Sequence, residues 1–344
     1  PPSAFFGDSA WGGEWQAILN GINNPDVPTI YGPTLQYLFA VGYLLAPARL
    51  IGIQVLLATV DMGALTLLMR AQVPARYLLA YAVHPLVVSQ GIVSAHPDSL
   101  VGCFVLASLM AWRSHRSVQA GAWLGLALGT KVSALLVLPF LCWPASGQGA
   151  RQPAAMLHHV RQLALGLVLC LVALYGPFML RQGSETAALQ TFASQWQFNP
   201  LGFRLLLALG LDGALARCVA AGVIVLAVAG LVWWWRRAPN TLWPPVDLAC
   251  AALLVMSPVV NPWYWLWCLA PSLLRQTPWC LAFGVLAVVS YLNSTVLFEA
   301  GWLSSPGTGF AVSWLITALE LLGLFTTVAF DWRYRVATYQ LESK

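Results

Sequence analysis

The chain alternates long apolar segments with short polar ones, and this alternation limits its fold more than any other feature. Charged residues lie mostly between the apolar segments or at their ends, and they make up only 8% of the 344 residues. Soluble domains average roughly 25% charged residues, so the few charges of this chain could not cover the water-facing surface of a soluble domain of this size. In lipid, backbone polar groups must be bonded within a helix or a closed barrel, and these segments lack the alternation of barrel strands. The sequence therefore predicts an all-α integral membrane protein.

We expect about eleven transmembrane helices. Several predicted spans are shorter than the ~20 residues that a straight crossing needs, so their ends must extend into neighbouring loops. The predicted spans are 51–69, 76–93, 100–112, 118–129, 132–143, 163–180, 214–235, 246–259, 263–274, 279–298 and 310–330.

The arginines predict the orientation of these helices, because positive residues concentrate in cytoplasmic loops. They fall in alternate loops: Arg70 and Arg76, Arg113 and Arg116, Arg151 and Arg161, Arg236 and Arg237, Arg275, then Arg333 and Arg335. A further apolar segment, 33–47, would break the alternation if it crossed, so we predict an outer juxtamembrane helix there. The alternative, that 33–47 is an ordinary span that violates the charge rule, stays open. The resulting organisation is an outer segment 1–50, a bundle 51–336 with an outer loop 181–213, and a cytoplasmic tail 337–344.

Other sequence features exclude several classes of site. The seven cysteines lie in apolar stretches without a CxxC pair, which indicates buried apolar residues rather than disulfides or a metal centre. The net charge of +5 is spread over loops and helix ends, and neither a basic run nor a glycine-rich phosphate loop is present. We therefore expect no nucleic-acid partner. The polar opening at Pro1 shows no cleavable signal, which is consistent with a first helix that precedes it.

Two groups of acidic residues fall on the predicted outer face. Asp8 and Glu14 lie among aromatic residues, where a carboxylate could accept a proton from a hydroxyl; alternatively, Asp8 caps a short helix. His96 and Asp98 flank Pro97 between two spans. Asp98 could cap the following helix, or the pair could orient a sugar hydroxyl or bind a divalent metal, although two ligands do not define a metal site.

Cations and aromatic residues supply further candidates. Lys131 interrupts a long uncharged stretch, which is expensive in lipid unless the lysine is paired or at a wet boundary. It could bind a lipid phosphate, or it could extend to the interface as a topology signal. Arg204, in the outer loop, could also bind phosphate. Trp263 and Tyr264 follow Asn261 and indicate either an interfacial belt or a surface on which sugars stack.

Two acids lie inside predicted spans. Asp61 and Glu320 could form a transport relay, or each could form a structural hydrogen bond between helices.

A set of short motifs resembles one known group of proteins. The elements are Asp8 with Trp11 to Glu14 and Gly21 to Pro25, Tyr31-Gly32-Pro33, His96-Pro97-Asp98, Gly125 to Lys131, Trp196 to Asn199, and Ser257 to Tyr264. In this order they resemble the bacterial members of the GT-C superfamily, polytopic glycosyltransferases that use polyprenyl-phosphate sugars. The resemblance covers nearly the whole chain.

The resemblance implies an inverting, mannosyltransferase-like enzyme at the periplasmic face of the bacterial inner membrane. It implies Asp8 as the base that deprotonates the acceptor, Asp98 as a second acid, and Lys131 near the carrier phosphate. Glu14, His96, Asn261, Trp263 and Tyr264 would contact substrate. Its partners would be the polyprenyl-phosphate donor, a lipid or glycan acceptor and membrane lipids. No cofactor is required, and a divalent metal stays open.

Two other functions remain as alternatives. The first is a transporter or flippase that uses Asp61 and Glu320. The second is a GT-C-like accessory subunit of a membrane protein assembly.

The first testable expectation concerns topology. Residues 1–47 should lie on the outer face without crossing, and Lys344 should be cytoplasmic, because of the arginine alternation. Cysteines introduced at Ser3 and Thr34 should react with a membrane-impermeant thiol reagent from the same side. Labelling from opposite sides would contradict this topology.

Overall fold

The described part of the chain is almost entirely helical. The computed structural model describes residues 16–18, 20–22, 26, 29–143, 153–179, 190, 192–194, 196–237, 242–293 and 306–342, with side chains after 306 described only over 313–331. We name the helices α1 (Pro33–Leu45), α2 (Ile51–Arg70), α3 (Ala75–Ala82), α4 (Ser99–Arg113), α5 (Ser117–Thr130), α6 (Leu138–Leu141), α7 (Pro153–Met179), α8 (Gly202–Ala208), α9 (Gly213–Arg237), α10 (Val246–Met256), α11 (Leu266–Leu274), α12 (Trp279–Leu286) and α13 (Pro306–Glu342). These residues form no β-strand; a single parallel bridge joins Phe198 and Val259.

Four of these helices are long and apolar enough to cross a membrane. They are α2, α7, α9 and the part of α13 from Ser313–Asp331. Their outward side chains are apolar, as Val172 in α7 (63% exposed) and Leu226 in α9 (73% exposed) illustrate. Such surfaces suit lipid and not water. The prediction of an all-α membrane protein is confirmed to this extent, while eleven crossings remain a prediction.

Several predicted spans begin with or contain a break in the regular helix. The segment predicted as 76–93 is interrupted where α3 ends at Ala82, and a π-helix follows at Leu86–Val93. Pro85 causes the interruption because it has no N–H and its ring clashes with the preceding turn. The imidazole of His84 stabilises the break: its Nδ1 accepts from the Leu86 N–H (3.2 Å), which leaves Nε2 to donate to the Leu281 carbonyl (2.9 Å). Short 3₁₀ segments open two other predicted spans, at Val132–Val137 and Pro262–Trp265.

Helix α4 lies at the centre of the described bundle. All of its residues except Phe104, Met110 and Arg113 are buried, and it packs against α2, α5 and α11. At its carboxyl end, the indole of Trp112 donates to the Trp143 carbonyl (2.7 Å). Its amino end begins immediately after Asp98. This largely buried helix therefore carries a carboxylate at one end.

The segment predicted to be a juxtamembrane helix forms α1 and packs against the bundle. With 13 residues it is about 20 Å long, shorter than the ~30 Å hydrocarbon core. Thr34 donates to the Leu126 carbonyl of α5 (3.1 Å) and is only 8% exposed. For the cysteine-labelling experiment on α1, position 44 is therefore a better choice than position 34, because the Leu44 side chain is 77% exposed.

Helices α5 and α7 approach so closely that backbone touches backbone. A Cβ atom at Gly121 of α5 would collide with the Leu163 carbonyl of α7, and one at Gly166 of α7 would collide with the Val118 carbonyl of α5. Small residues at such crossings are typical of membrane helices. This contact fixes the position of α5, which ends just before Lys131.

The second prediction tests this crossing. Gly121→Ala should destabilise the protein by about 1–3 kcal/mol or more, because the new methyl group has no space. Gly222→Ala in α9 is the matched control, since a Cβ atom there meets nothing within 4 Å. It should be neutral or slightly stabilising, because alanine favours a helix over glycine. Unfolding free energies in detergent micelles compare the two, and equal stability would contradict the close crossing.

Candidate functional site

A buried ion pair joins two of the predicted site residues. Lys131 Nζ lies 2.7 Å from Asp98 Oδ1, and the Trp267 indole donates to the same oxygen at 2.6 Å. Asp98 is fully buried, and the Lys131 side chain is 14% exposed. Asp98 forms no capping hydrogen bond to α4, so the capping alternative for this residue is wrong. The pair connects the starts of two helical segments with α11.

Aromatic rings surround the ammonium group of Lys131. Its Nζ lies 4.1 Å from the ring centroid of Tyr264, 5.0 Å from Trp267 and 5.8 Å from Tyr31. Ring faces attract cations, and the effect grows when water is excluded. Burial lowers the pKa of Lys131, while the negative charge of Asp98 opposes this shift. Lys131 therefore does not extend to the interface as an isolated topology signal; it is enclosed and paired.

The local backbone explains how Lys131 reaches Asp98. Helix α5 ends at Thr130, and Lys131 has extended backbone angles (φ −149°, ψ 138°) before the 3₁₀ segment begins. This extended residue lets the lysine leave the helical path and turn toward α4. The break between α5 and the following 3₁₀ segment therefore positions Lys131 beside Asp98.

An apolar cavity of about 640 Å³ adjoins the ion pair. Lys131, Thr130, Ser133, Tyr264 and Trp267 form its polar part. The remaining lining is dominated by apolar side chains of α5, α6, α9, α10 and the 3₁₀ segment after Lys131, among them Leu128, Leu136, Pro139, Ile224, Val228 and Leu254. A concave apolar site with a few convergent polar groups is the usual form of a small-molecule or lipid site.

Two distant motifs are hydrogen-bonded to each other beside this cavity. The Phe198 N–H donates to the Pro258 carbonyl (3.0 Å), and the Val260 N–H donates to the Phe198 carbonyl (2.8 Å). Asn199 donates to Glu320 Oε2 of α13 (2.8 Å). Because Val259 and Tyr264 line the cavity, this bridge supports its wall.

The imidazole of His96 stacks on Trp263. The ring centroids are 3.7 Å apart and the planes differ by 9°. Burial lowers the pKa of His96; the Asp98 carboxylate raises it and the Lys131 charge lowers it. The imidazole is therefore neutral at pH 7, and the stacked pair is a polar aromatic surface beside Asp98.

The other predicted residues have varied positions. We call the three rings around the Lys131 ammonium group, those of Tyr31, Tyr264 and Trp267, the aromatic cage. Asn261 hydrogen-bonds to Tyr264 and so supports this cage. Arg204 lies over Trp314 (5.6 Å) and near Glu320, and it does not line the cavity that contains Lys131. Asp8 and Glu14 lie outside the described residues.

The two acids inside the spans form hydrogen bonds between structural elements. Asp61 accepts from the Tyr81 hydroxyl (2.8 Å), and Glu320 accepts from Asn199 (2.8 Å). Neither acid lines the cavity beside Lys131. Over the described ranges, no three His, Cys, Asp or Glu side chains come together to form a set of metal ligands.

The sequence interpretation missed Trp267 and a second buried aspartate, Asp247. Asp247 is fully buried and uses both oxygens: Arg275 donates to Oδ1 (2.5 Å), and Trp279 donates to Oδ2 (3.0 Å). In contrast, Asp98 Oδ2 is buried without a hydrogen-bond partner among the described residues. Asp247 thus holds neighbouring segments together, whereas Asp98 has one oxygen without a partner among the described residues; Asp98 lies behind Lys131 and does not itself line the cavity.

The third prediction tests the Asp98–Lys131 pair. Lys131→Met should cost about 3–5 kcal/mol of stability, because it leaves a buried carboxylate without its counterion. The double variant Asp98→Asn with Lys131→Met should recover much of that loss, since no unpaired charge remains. Arg161→Met, at an exposed position, is the control and should change stability little. Unfolding in detergent micelles measures these three variants and Asp98→Asn alone, and purely additive effects of the two site substitutions would contradict the pairing.

Comparison of the chain with protein-family models, with curated proteins and with solved structures found no match. The functional interpretation therefore depends on the motifs of this sequence and on the geometry around Lys131.

Proposed function

We propose that the chain is an inverting glycosyltransferase that moves a mannose-like sugar from a polyprenyl-phosphate donor to an acceptor. One observation carries the proposal: a buried lysine, paired with an aspartate that has a spare oxygen, lies at the polar part of a large apolar cavity. The donor has the same two-part character, because it combines an anionic phosphate with a long isoprenoid chain.

Lys131 would bind the carrier phosphate. A phosphate oxygen near Nζ gains a charge-assisted hydrogen bond in surroundings that exclude water, where such bonds are strong. Thr130 and Ser133 also line the cavity, but the Thr130 hydroxyl already donates to the Leu126 carbonyl (2.8 Å). The Ser133 hydroxyl is buried without a partner among the described residues, so it has a hydrogen bond to offer.

The apolar part of the cavity would hold the first isoprene units. Burial of apolar surface contributes about 25 cal/mol per Å², so a few isoprene units add substantially to binding. The rest of the isoprenoid chain would continue from the cavity into lipid. This arrangement favours a lipid-linked donor over a nucleotide sugar.

Asp98 would assist transfer through its free oxygen. The acceptor hydroxyl attacks the anomeric carbon while the bond from that carbon to the phosphate oxygen breaks. The bonding electrons leave with the lipid phosphate, and the hydroxyl proton passes to a carboxylate. Oδ2 of Asp98 has no hydrogen-bond partner among the described residues, which supports this role, and the resemblance implies Asp8 as the principal base.

The aromatic residues would orient the sugar. The stacked His96–Trp263 pair offers a ring face and ring nitrogens, and sugar rings stack on aromatic faces. In this scheme Asn261 and Tyr264 contact the sugar or the phosphate beside it, and Glu14 contributes from the N-terminal segment.

The proposal includes a location. We place the reaction at the periplasmic face of the bacterial inner membrane, with eleven crossings and the arginine-bearing loops in the cytoplasm. An accessory subunit of a membrane protein assembly is the other function to be distinguished. The transporter alternative has less support, because Asp61 and Glu320 are hydrogen-bonded away from the cavity at Lys131.

The fourth prediction separates donor binding from transfer. Lys131→Gln should weaken binding of a polyprenyl-phosphate mannose at least tenfold, since it removes the charge that faces the phosphate. Asp98→Asn leaves Lys131 without its counterion and should lose stability, so the folded fraction of this variant is isolated first. That fraction should retain donor binding but transfer sugar roughly 10²–10⁴-fold more slowly, the usual contribution of a proton acceptor. Native mass spectrometry measures binding, and radiolabelled sugar transfer to a membrane lipid extract measures activity.

The matched control is Asp212→Asn. Asp212 caps α9 through the N–H groups of Ala214 and Leu215, and asparagine also caps well, so neither binding nor transfer should change. Normal transfer by Asp98→Asn would refute its role. Donor binding by the wild type without any transfer would favour the accessory alternative.

A further inference from the structure

A second groove lies at the other end of α5. It has a volume of about 570 Å³ and is formed by α2, α4 and α5. Arg116 immediately precedes α5 and Lys131 immediately follows it, so the two positions are separated by a helix of 14 residues, about 20 Å. No residue lines both this groove and the cavity at Lys131. The groove is therefore a separate feature that does not depend on the proposed transferase.

The groove has a cationic end and an apolar body. Arg70, Ser114, Arg116 and Gln119 line one end, where α2 and α4 finish and α5 begins. Its body is lined mainly by apolar side chains, and no acidic residue lines it. Arg70 and Arg116 are exposed, and no ion pair of either is found among the described residues.

The length and floor of the groove suit an acyl chain. From Val60 to Arg70, α2 runs for about 15 Å, half the ~30 Å hydrocarbon core and thus about one leaflet. At Gly63 a Cβ atom would meet nothing within 4 Å, so this stretch of the floor is open. The stacked rings of Phe104 and Trp123 (centroids 5.9 Å apart) form a wall.

We propose that this groove binds one anionic phospholipid, with its phosphate between Arg70 and Arg116 and one acyl chain along α2. Guanidinium groups bind phosphate oxygens in paired hydrogen bonds, and clustered arginines beside a membrane helix attract anionic headgroups. The arginine alternation places this end in the cytoplasmic leaflet, where anionic lipids are attracted to such residues. The phosphate would neutralise two arginines for which the described residues supply no counterion.

The experiment uses the full chain in detergent, with native mass spectrometry to measure the binding of phosphatidylglycerol and of phosphatidylcholine with the same acyl chains. The wild type should bind phosphatidylglycerol at least tenfold more tightly. The double variant Arg70→Gln with Arg116→Gln should remove that preference. The control, Arg161→Gln with Arg237→Gln, removes two exposed arginines that do not line the groove, and it should retain the preference.

A second pair of variants tests the groove itself. Gly63→Leu should fill the floor of the groove without a steric clash and weaken the binding of both lipids about tenfold. Gly222→Leu, whose side chain also extends into open space, on α9, should not change lipid binding. Equal loss in the two arginine variants would overturn the proposal, because it would show general surface attraction. Unchanged binding in Gly63→Leu, or displacement of the lipid by millimolar glycerol phosphate alone, would also overturn it.

Discussion

The ion pair between Asp98 and Lys131 is the interaction on which the described bundle and its candidate site both depend. Each charge costs several kcal/mol to remove from water, so neither is tolerated in this position without the other. Their carriers are the amino end of the central helix α4 and the extended residue that follows α5, and Trp267 of α11 donates to the same oxygen. Any rearrangement that separates these three elements exposes an unpaired charge to apolar surroundings. The pair therefore fixes the helix arrangement, while Asp98 Oδ2 has no hydrogen-bond partner among the described residues.

The two ends of α5 place cations next to apolar surfaces in different ways. At one end Lys131 is enclosed, paired with a carboxylate and surrounded by three aromatic rings. At the other end Arg70 and Arg116 are exposed and face an open groove that no acidic residue lines. A cation with a fixed counterion is held at one position and can select among phosphates by geometry. Cations without a fixed counterion attract any anionic headgroup. The Lys131 end of α5 therefore suits a specific substrate, and the Arg116 end suits a membrane lipid.

The sequence predicted the helical segments well because their apolar length is a local property. It also indicated that Lys131 is either paired or at a wet boundary, since a lone lysine in that stretch is costly, but it did not identify Asp98 as the partner. It could not predict the role of Trp267, whose partner lies 169 residues away, because an indole in an apolar segment usually belongs to the interfacial belt. The role of Asp247 could not be predicted either, because its partners Arg275 and Trp279 are distant in sequence and come close only after α10, α11 and α12 have packed. Arg204 differs: its place in the predicted outer loop groups it with Lys131, whereas in the structure it packs beside Trp314 and does not line the cavity at Lys131.

The position of α1 links this packing to the aromatic cage. A Cβ atom at Gly32 would collide with the Gly129 carbonyl, and one at Gly129 would collide with the Thr34 hydroxyl, so α1 lies directly against the end of α5. Tyr31 precedes Gly32, and Lys131 follows Gly129 by two residues, so the same contact brings the Tyr31 ring toward the ammonium group. Burial, together with the negative charge of Asp98, raises the pKa of Tyr31 to about 12, which keeps its hydroxyl protonated as a hydrogen-bond donor. Glycine at position 32 is therefore a requirement of the site: a larger residue would push α1 outward and remove one ring of the cage, even though α1 contributes no charge.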